Sequence, residues 1–316
     1  MSLYRGLIGM ALVASIGLYM ANNPDASKPM DFATNHWLGY EPLYVADDLG
    51  FIDSRLLQLR TLSSTTDVFR ALRHGEVVGA ALTLDEVLLL AHQGLSLTIV
   101  AVADISNGAD AVILNSRFPE GESLQGKRIA YEGNVLGAFM VARMLDQFGL
   151  NLMDVALLEA TPHEHSTLLE RGVVDAVVTY EPFMSQMKTA TRKIFTSKDI
   201  PGEVVDVLAV DLQQVTAAQI AHLITVWRMG AEKLTQSDSD ALAIASRRHH
   251  LPPNKIQEAL LDIGYPNLRP SIDPLAIVDE EHLSRTIARL WGVMQHVNLV
   301  GVAPMPNIDI QLQAAQ

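Results

Sequence analysis

After residue 28 the chain alternates short apolar strand segments with helical ones, and no other sequence feature constrains the fold as much. "PMDFAT" reads as a strand and "PLYVADDLGF" as a helix ended by Gly50. "LLQLRTL" is a strand that stops at "SSTTDVFRALRHG", where Ser63 to Thr66 are N-cap candidates and Gly75 closes the helix. "VVGAALT", "LDEVLLLAHQG" and "LTIVAVADIS" continue the pattern as strand, helix and buried strand. Strands joined by helices are parallel, and each helix must cover a face of their sheet, so sheets flanked by helices follow. "SLQGKRIAYEG" opens a second series: a strand at 128–131, the helix "NVLGAFMVARMLDQFGL", the strand "VALLEA", the helix "EHSTLLERG", the strand "VDAVVTY" and a helix from "EPFMSQMKTA". Four more helices are expected, over residues 216–234, 239–249, 255–262 and 280–296. The tail "APMPNIDIQLQAAQ" reads as a surface wrap.

If the second series is inserted into the first, the chain crosses between two lobes near "SNGADAVI" and again near "TSKDIPGEVVDV". The expected class is therefore α/β: two lobes, each a mainly parallel sheet flanked by helices, with a ligand cleft at the carboxyl ends of the strands. Residues 28–108 plus 203–316 would form lobe 1, its C-terminal part helical, and residues 109–202 lobe 2. At 316 residues the chain is long enough for two cores, and 49% hydrophobic with 19% charged residues excludes general disorder.

Acidic residues outnumber basic ones 36 to 23, for a formal charge of −13, and no Lys/Arg cluster with interleaved aromatics offsets it. Nucleic acid is not an expected partner. With no cysteine, disulfides, thiolate metal sites and cysteine nucleophiles are excluded. Arg5 precedes an apolar run from Leu7 to Ala21, about fifteen residues and short of the ~20 that span a membrane. That order is the order of an export signal, so residues 1–27 are read as a signal peptide or N-terminal anchor. Cleavage stays open, since Tyr19 occupies a position near Ala21 where a small residue is expected, and Val13 to Ser15 fits the rule but cuts early.

"NHWLGYEPLYVADDLGFID", "SSTTDVFRALRHGEVVGAALTLDEVLLLAHQG", "VADISNGADAVI", "SLQGKRIAYEGNVLGAFMVARMLDQFGL", "LLERGVVDAVVTYEPF" and "TSKDIPGEVVDVLAV" occur in an order that resembles the extracytoplasmic solute-binding proteins of ABC importers. The branch resembled is the NMT1/THI5-like one, serving nitrate, taurine, sulfonates and thiamine pyrimidine precursors, and the resemblance covers about residues 30–210. It implies a type II periplasmic-binding-protein fold and a monomer in the periplasm or on the periplasmic face of the inner membrane. A small molecule would be delivered to a membrane permease, without a cofactor and without catalysis.

The resemblance also implies which loops touch ligand. Trp37, Tyr40 and Glu41 fall in the first, where rings offer apolar or cation–π contact, although Trp37 as a lid over the first helix is the competing reading. Ser64, Thr65 and Thr66 fall in the second, and Thr83 and Asp85 in the third, with helix capping as the alternative for each. Asp104 and Asn107 lie at the first crossing, Glu132 and Asn134 after a strand of the second lobe, and Tyr180 and Glu181 at the end of another. Glu181 either binds a ligand amine or caps a helix begun by Pro182. Glu41, Asp85, Asp104, Glu132 and Glu181 put five carboxylates in these loops, and no Arg or Lys can be placed among them. A neutral or amine-bearing ligand is therefore favoured over a simple anion.

His163/His165 and His249/His250 lack a third ligand at a recognisable spacing, so they read as surface histidines and no metal site is expected. The chain has no G-x-S-x-G elbow, P-loop or His-Glu-x-x-His zinc signature. Two other functions stay open: a ligand-sensing lobe for a membrane signalling partner, and a thiamine-precursor-type enzyme of the same fold.

Overall fold

The computed structural model describes residues 28–266, 268 and 279–312, so the expected export segment at 1–27 lies outside the described residues. Along the chain come β1 (Met30–Thr34), α1 (Glu41–Asp48), β2 (Leu57–Thr61), α2 (Thr65–Arg73), β3 (Gly79–Thr83), α3 (Leu84–His92) and β4 (Thr98–Ser106). The second series is β5 (Asp110–Asn115), β6 (Arg128–Tyr131), α4 (Val135–Gln147), β7 (Ala156–Glu159), α5 (Pro162–Glu170), β8 (Ala176–Tyr180) and β9 (Thr191–Thr196). The return carries β10 (Val205–Val210), α6 (Ala217–Thr235), α7 (Ser239–His249), α8 (Pro253–Leu260), β11 (Ile263–Gly264), α9 (Glu280–His296) and β12 (Asp309–Ile310).

Two sheets result, flanked by helices. The first has the order β11-β4-β10-β3-β1-β2 with β12 beside β4, and the second the order β7-β6-β8-β5-β9. The chain passes from the first to the second between Ser106 and Asp110, and returns between Thr196 and Val205. The βα units pair in parallel: β1 with β2 and β3, and β6 with β7 and β8. The two strands that follow the crossings run antiparallel to both neighbours, β5 to β8 and β9, and β10 to β3 and β4. Neither strand enters its sheet through a βαβ crossover, the second crossing carrying only the short 3₁₀ turn Ser197–Asp199, so the parallel rule does not apply to these pairings.

Caps fix the helix starts that face the cleft. The Ser64 side chain accepts from the Asp67 N–H at the start of α2, and Asn134 accepts from the Gly137 N–H at the start of α4. Thr83 N–H donates to Glu86 Oε2 at 3.0 Å where β3 turns into α3.

Two expectations are corrected. The segment from Glu181 forms turns rather than a helix: the Ser185 N–H donates to the Glu181 side chain, and the Glu181 carbonyl, its partner in a helix, accepts from the Leu38 N–H instead. The tail is more than a wrap, because Asp309 and Ile310 pair with Thr98 and Ile99 of β4. Among the described residues no helix is long and apolar enough to cross a membrane.

One apolar cluster runs from Leu72 of α2 and Leu88 of α3 to Phe139 of α4 and Phe195 of β9, so it joins elements of both sheets. On the other side α6 crosses α1 at Gly230, where an added Cβ would run into the Pro42 carbonyl. Overpacking of this kind costs about 1–3 kcal/mol, so Gly230→Ala should lower the unfolding free energy by that amount, read as a lower urea midpoint at unchanged slope. An unchanged midpoint would mean that the two helices separate freely.

Candidate functional site

The turn after β1 is held from three directions. Trp37 N–H donates to Asn35 Oδ1 at 2.8 Å, and Leu38 N–H reaches across the cleft to the Glu181 carbonyl at 3.2 Å. The Trp37 ring packs edge-on against Tyr180 of the second sheet, with centroids 5.8 Å apart. Its indole N–H points the other way, donating to the Asp104 carboxylate at 3.2 Å. Gly39 lies between, where any side chain would strike the indole nitrogen and Asp104. Tyr40 donates its hydroxyl to Asp206.

Sheet register then gathers acids at the strand ends. Asp206 of β10 stands opposite Asp104 of β4 on one side and Thr83 of β3 on the other, and Asp110 of β5 stands opposite Tyr180 of β8. Asp85 and Glu86 follow Thr83 in the first turn of α3, and Glu132 follows β6. All six carboxylates, Asp85, Glu86, Asp104, Asp110, Glu132 and Asp206, are buried. Burial is the first cause of a raised pKa in each, and the neighbouring charges acting on them are other carboxylates. Asp85 is pushed up to about 6, Asp110 and Glu132 to about 7, and Glu86, Asp104 and Asp206 well above the carboxylate range.

Several polar atoms of this cluster have no partner in hydrogen-bond geometry among the described residues. They are both oxygens of Asp85, Glu132 Oε2, the Thr83 hydroxyl and the Tyr265 hydroxyl. The Thr83 hydroxyl and the first amides of α3 lie close enough to ease ionisation of Asp85 but only partly offset its burial. Glu132 Oε1 is satisfied across the cleft, accepting from the Thr65 N–H at 2.9 Å. A carboxylate thus occupies the α2 N-terminus, where backbone N–H groups and the helix dipole favour negative charge. A rim cavity of about 480 Å³ is lined by Arg70, Arg73 and His74 together with Thr66, Asn134 and Leu299.

The model of the NMT1-like family matches residues 23–226. The chain belongs to the NMT1-like family. Its fold is that of the two-lobed periplasmic binding proteins. It is similar to the alkanesulfonate-binding protein SsuA of Xanthomonas axonopodis pv. citri, bound to MOPS, with a TM-score of 0.73 and 15% identity over 88% of this chain and 97% of that one. The periplasmic aliphatic sulphonate-binding protein SsuA of Escherichia coli gives a TM-score of 0.71 and 15% identity over 92% and 95% of the two chains. An enzyme shares the fold as well: the desulfurization enzyme DSZB, with a TM-score of 0.61 and 13% identity over 88% and 94%. No curated protein sequence matches the chain.

Within this NMT1-like chain the residues singled out from sequence separate into groups. Trp37, Tyr40, Thr83, Asp85, Asp104, Glu132 and Tyr180 come together around the acid cluster. Asn134 joins its edge, with Nδ2 3.5 Å from Glu86 Oε1, while its side-chain oxygen caps α4. Thr65 contributes its backbone N–H, and its hydroxyl accepts from Asn35. Ser64 is a cap, and Thr66 faces the rim cavity.

Three residues have their side chains or backbone engaged by other partners, although Glu181 still acts on Asp110. Glu41 is taken by Arg248, 3.1 Å away, and by His249 Nε2 at 2.8 Å, both from α7. Glu181 accepts from the Ser185 N–H at 3.1 Å within its own turn, and burial raises its pKa. Asn107 is tied at the crossing by its N–H to the Asp262 carbonyl.

The histidines are not all on the surface. His165 and His249 are buried, and burial pushes His165 down to about 4. His36 and His163 meet edge to face across the cleft at 5.3 Å. Among the described residues no group of three or more potential ligands could hold a metal ion.

Glu86, Asp110 and Asp206 are the site residues that sequence reasoning missed. A signal existed for Asp206, a charge in the otherwise apolar strand "VVDVLAV", since an acid inside a buried strand requires a reason.

Proposed function

We propose that this protein is an extracytoplasmic solute-binding protein of an ABC importer, which captures a small neutral or amine-bearing molecule between its lobes and delivers it to a membrane permease. In this reading residues 28–108 and 203–316 make one lobe and residues 109–202 the other, and the two crossings form the hinge. The protein acts as a monomer on the periplasmic side of the membrane, without catalysing a reaction. The observation that carries the reading is the convergence of aromatic rings and unpartnered buried polar atoms from both lobes on one interlobe site. Ligand pockets have this composition, apolar walls with a few convergent polar groups.

The sulfonate of the similar SsuA proteins is not carried over. A sulfonate needs cationic donors or a free helix N-terminus, whereas here Glu132 fills the α2 N-terminus and carboxylates line the site.

Native mass spectrometry of protein taken from the periplasmic fraction of its own host should show a co-purified small molecule. Adding that molecule to stripped protein should reduce the radius of gyration in small-angle scattering, because contacts from both walls form together only when the lobes are closed. An unchanged radius at saturation would count against the solute-binding reading.

A further inference from the structure

We propose that the ligand of this site is a protonated primary amine, seated between the lobes with Asp85 and Asp110 as its counter-ions and with Glu132 and the Thr83 hydroxyl as hydrogen-bond acceptors. This rests on the solute-binding reading and narrows it to one ligand chemistry.

The charge distribution across the cleft carries the argument. Asp85, Glu86, Asp104 and Asp206 belong to the first sheet's elements, and Asp110 and Glu132 to the second's. Each set acts on the other: Asp85 raises the pKa of Asp110, and Glu132 that of Glu86. Bringing the walls together therefore concentrates like charge in a desolvated space, which opposes closure. A cation between the walls reverses the sign. The acids that ionise near neutrality, Asp85 on one wall and Asp110 and Glu132 on the other, then attract the charge at the centre, and attraction from both sides draws the lobes together. A neutral ligand leaves the repulsion in place, and an anion adds to it.

The unpartnered atoms specify the kind of cation. Among the described residues neither oxygen of Asp85 (1% exposed), nor Oε2 of Glu132 (6%), nor the Thr83 hydroxyl (4%) has a partner in hydrogen-bond geometry, although the Thr83 hydroxyl and the first amides of α3 lie near Asp85. These are acceptors awaiting N–H donors. A primary ammonium supplies three such donors, whereas a quaternary ammonium supplies none and would leave every one of these oxygens unsatisfied. Around them the Trp37, Tyr40 and Tyr180 rings provide apolar and π surface for an organic body attached to the nitrogen. The separation of roles is clear from Glu41. That buried acid has an arginine and a histidine as partners, whereas among the described residues no basic side chain pairs with Asp85.

The test uses three matched probes, benzylammonium, benzyl alcohol and benzenesulfonate, with the wild-type chain and Asp85→Asn in thermal unfolding at pH 7.5. Benzylammonium at saturating concentration should raise the wild-type melting temperature by several degrees, and the other two should leave it unchanged. Asp85→Asn should melt above the ligand-free wild type, because a counter-ion without its cation destabilises the fold, and should lose the response to benzylammonium. Asp110→Asn should show both effects from the opposite wall. Equal or larger shifts with the alcohol or the sulfonate, no shift with benzylammonium, or lowered melting in both ligand-free variants would each overturn the proposal. A co-purified solute that closes the lobes but carries no amine would overturn it too, while leaving the solute-binding reading intact. Absence of any captured solute and of closure would instead remove the solute-binding reading itself.

Discussion

Trp37→Ala is expected to destabilise the ligand-free protein by about 3–5 kcal/mol, the range for truncating a buried aromatic side chain. Trp37 is 5% exposed, and its ring packs on Tyr180 from the other lobe. Its N–H is also a donor to Asp104, a buried carboxylate whose pKa burial raises and this hydrogen bond lowers. Alanine removes the packing and the donor together, whereas Trp37→Phe removes the donor and keeps most of the packing. The phenylalanine variant should therefore lose about 1–3 kcal/mol, the cost of leaving a buried polar group without its partner. Urea unfolding of both variants checks the order. Equal stability of Trp37→Ala and wild type would return Trp37 to the role of an open ligand wall. The sequence left two alternatives for this residue, ligand wall or lid over the first helix. Its ring against Tyr180 and its N–H on Asp104 give it structural partners in both sheets, so loss of binding in Trp37→Ala must be corrected for loss of stability.

What the sequence revealed depended on whether the cause was local. Strand and helix periods, caps such as Ser64 and Asn134, and the turn glycines are set by neighbours a few residues away, and these were legible, including the helix over 280–296. The directions of β5 and β10 were not, because an apolar strand reads the same in parallel and antiparallel pairing. The acid cluster was half visible. Asp85, Asp104 and Glu132 stood out in loops, but Asp206 became a site residue only through its register against Asp104 and Thr83. Glu41 failed for the same reason in reverse. Its partners Arg248 and His249 come from α7, some two hundred residues away, and no local pattern announces them.

The same unpaired acids should make the ligand-free protein less stable as pH rises from about 6.5 to 8. In the unfolded chain Asp and Glu titrate near 4. In the fold Asp85 titrates at about 6 and Asp110 and Glu132 at about 7, so the folded state holds their protons more tightly than the unfolded state does. The contribution of such a group is fully present below the unfolded pKa and is lost as pH rises through the folded one. For Asp110, raised from 3.8 to about 7, the full loss is on the order of 4 kcal/mol, spread from about pH 4 to 7.5, so that only its last part, about 1 kcal/mol, falls between pH 6.5 and 8. Buried histidines work in the opposite direction. His165, lowered to about 4, and His36, also lowered, contribute stability that is present above pH 6.5 and lost as pH falls. Below pH 6.5 the two effects therefore oppose each other, and above it the histidines add nothing while Asp110 and Glu132 continue to lose protons. Asp53 and Asp175, both held at about 2, titrate outside this window. Glu86, Asp104 and Asp206, raised well above the carboxylate range, add to the slope in the same direction, so melting temperatures at pH 6.5, 7.25 and 8 should fall in wild type, and the fall should be shallower in Asp110→Asn, where one of the contributing acids is gone. A melting temperature that rises across this interval would mean that the cluster keeps its charge in the fold, and that a cation within the chain compensates it.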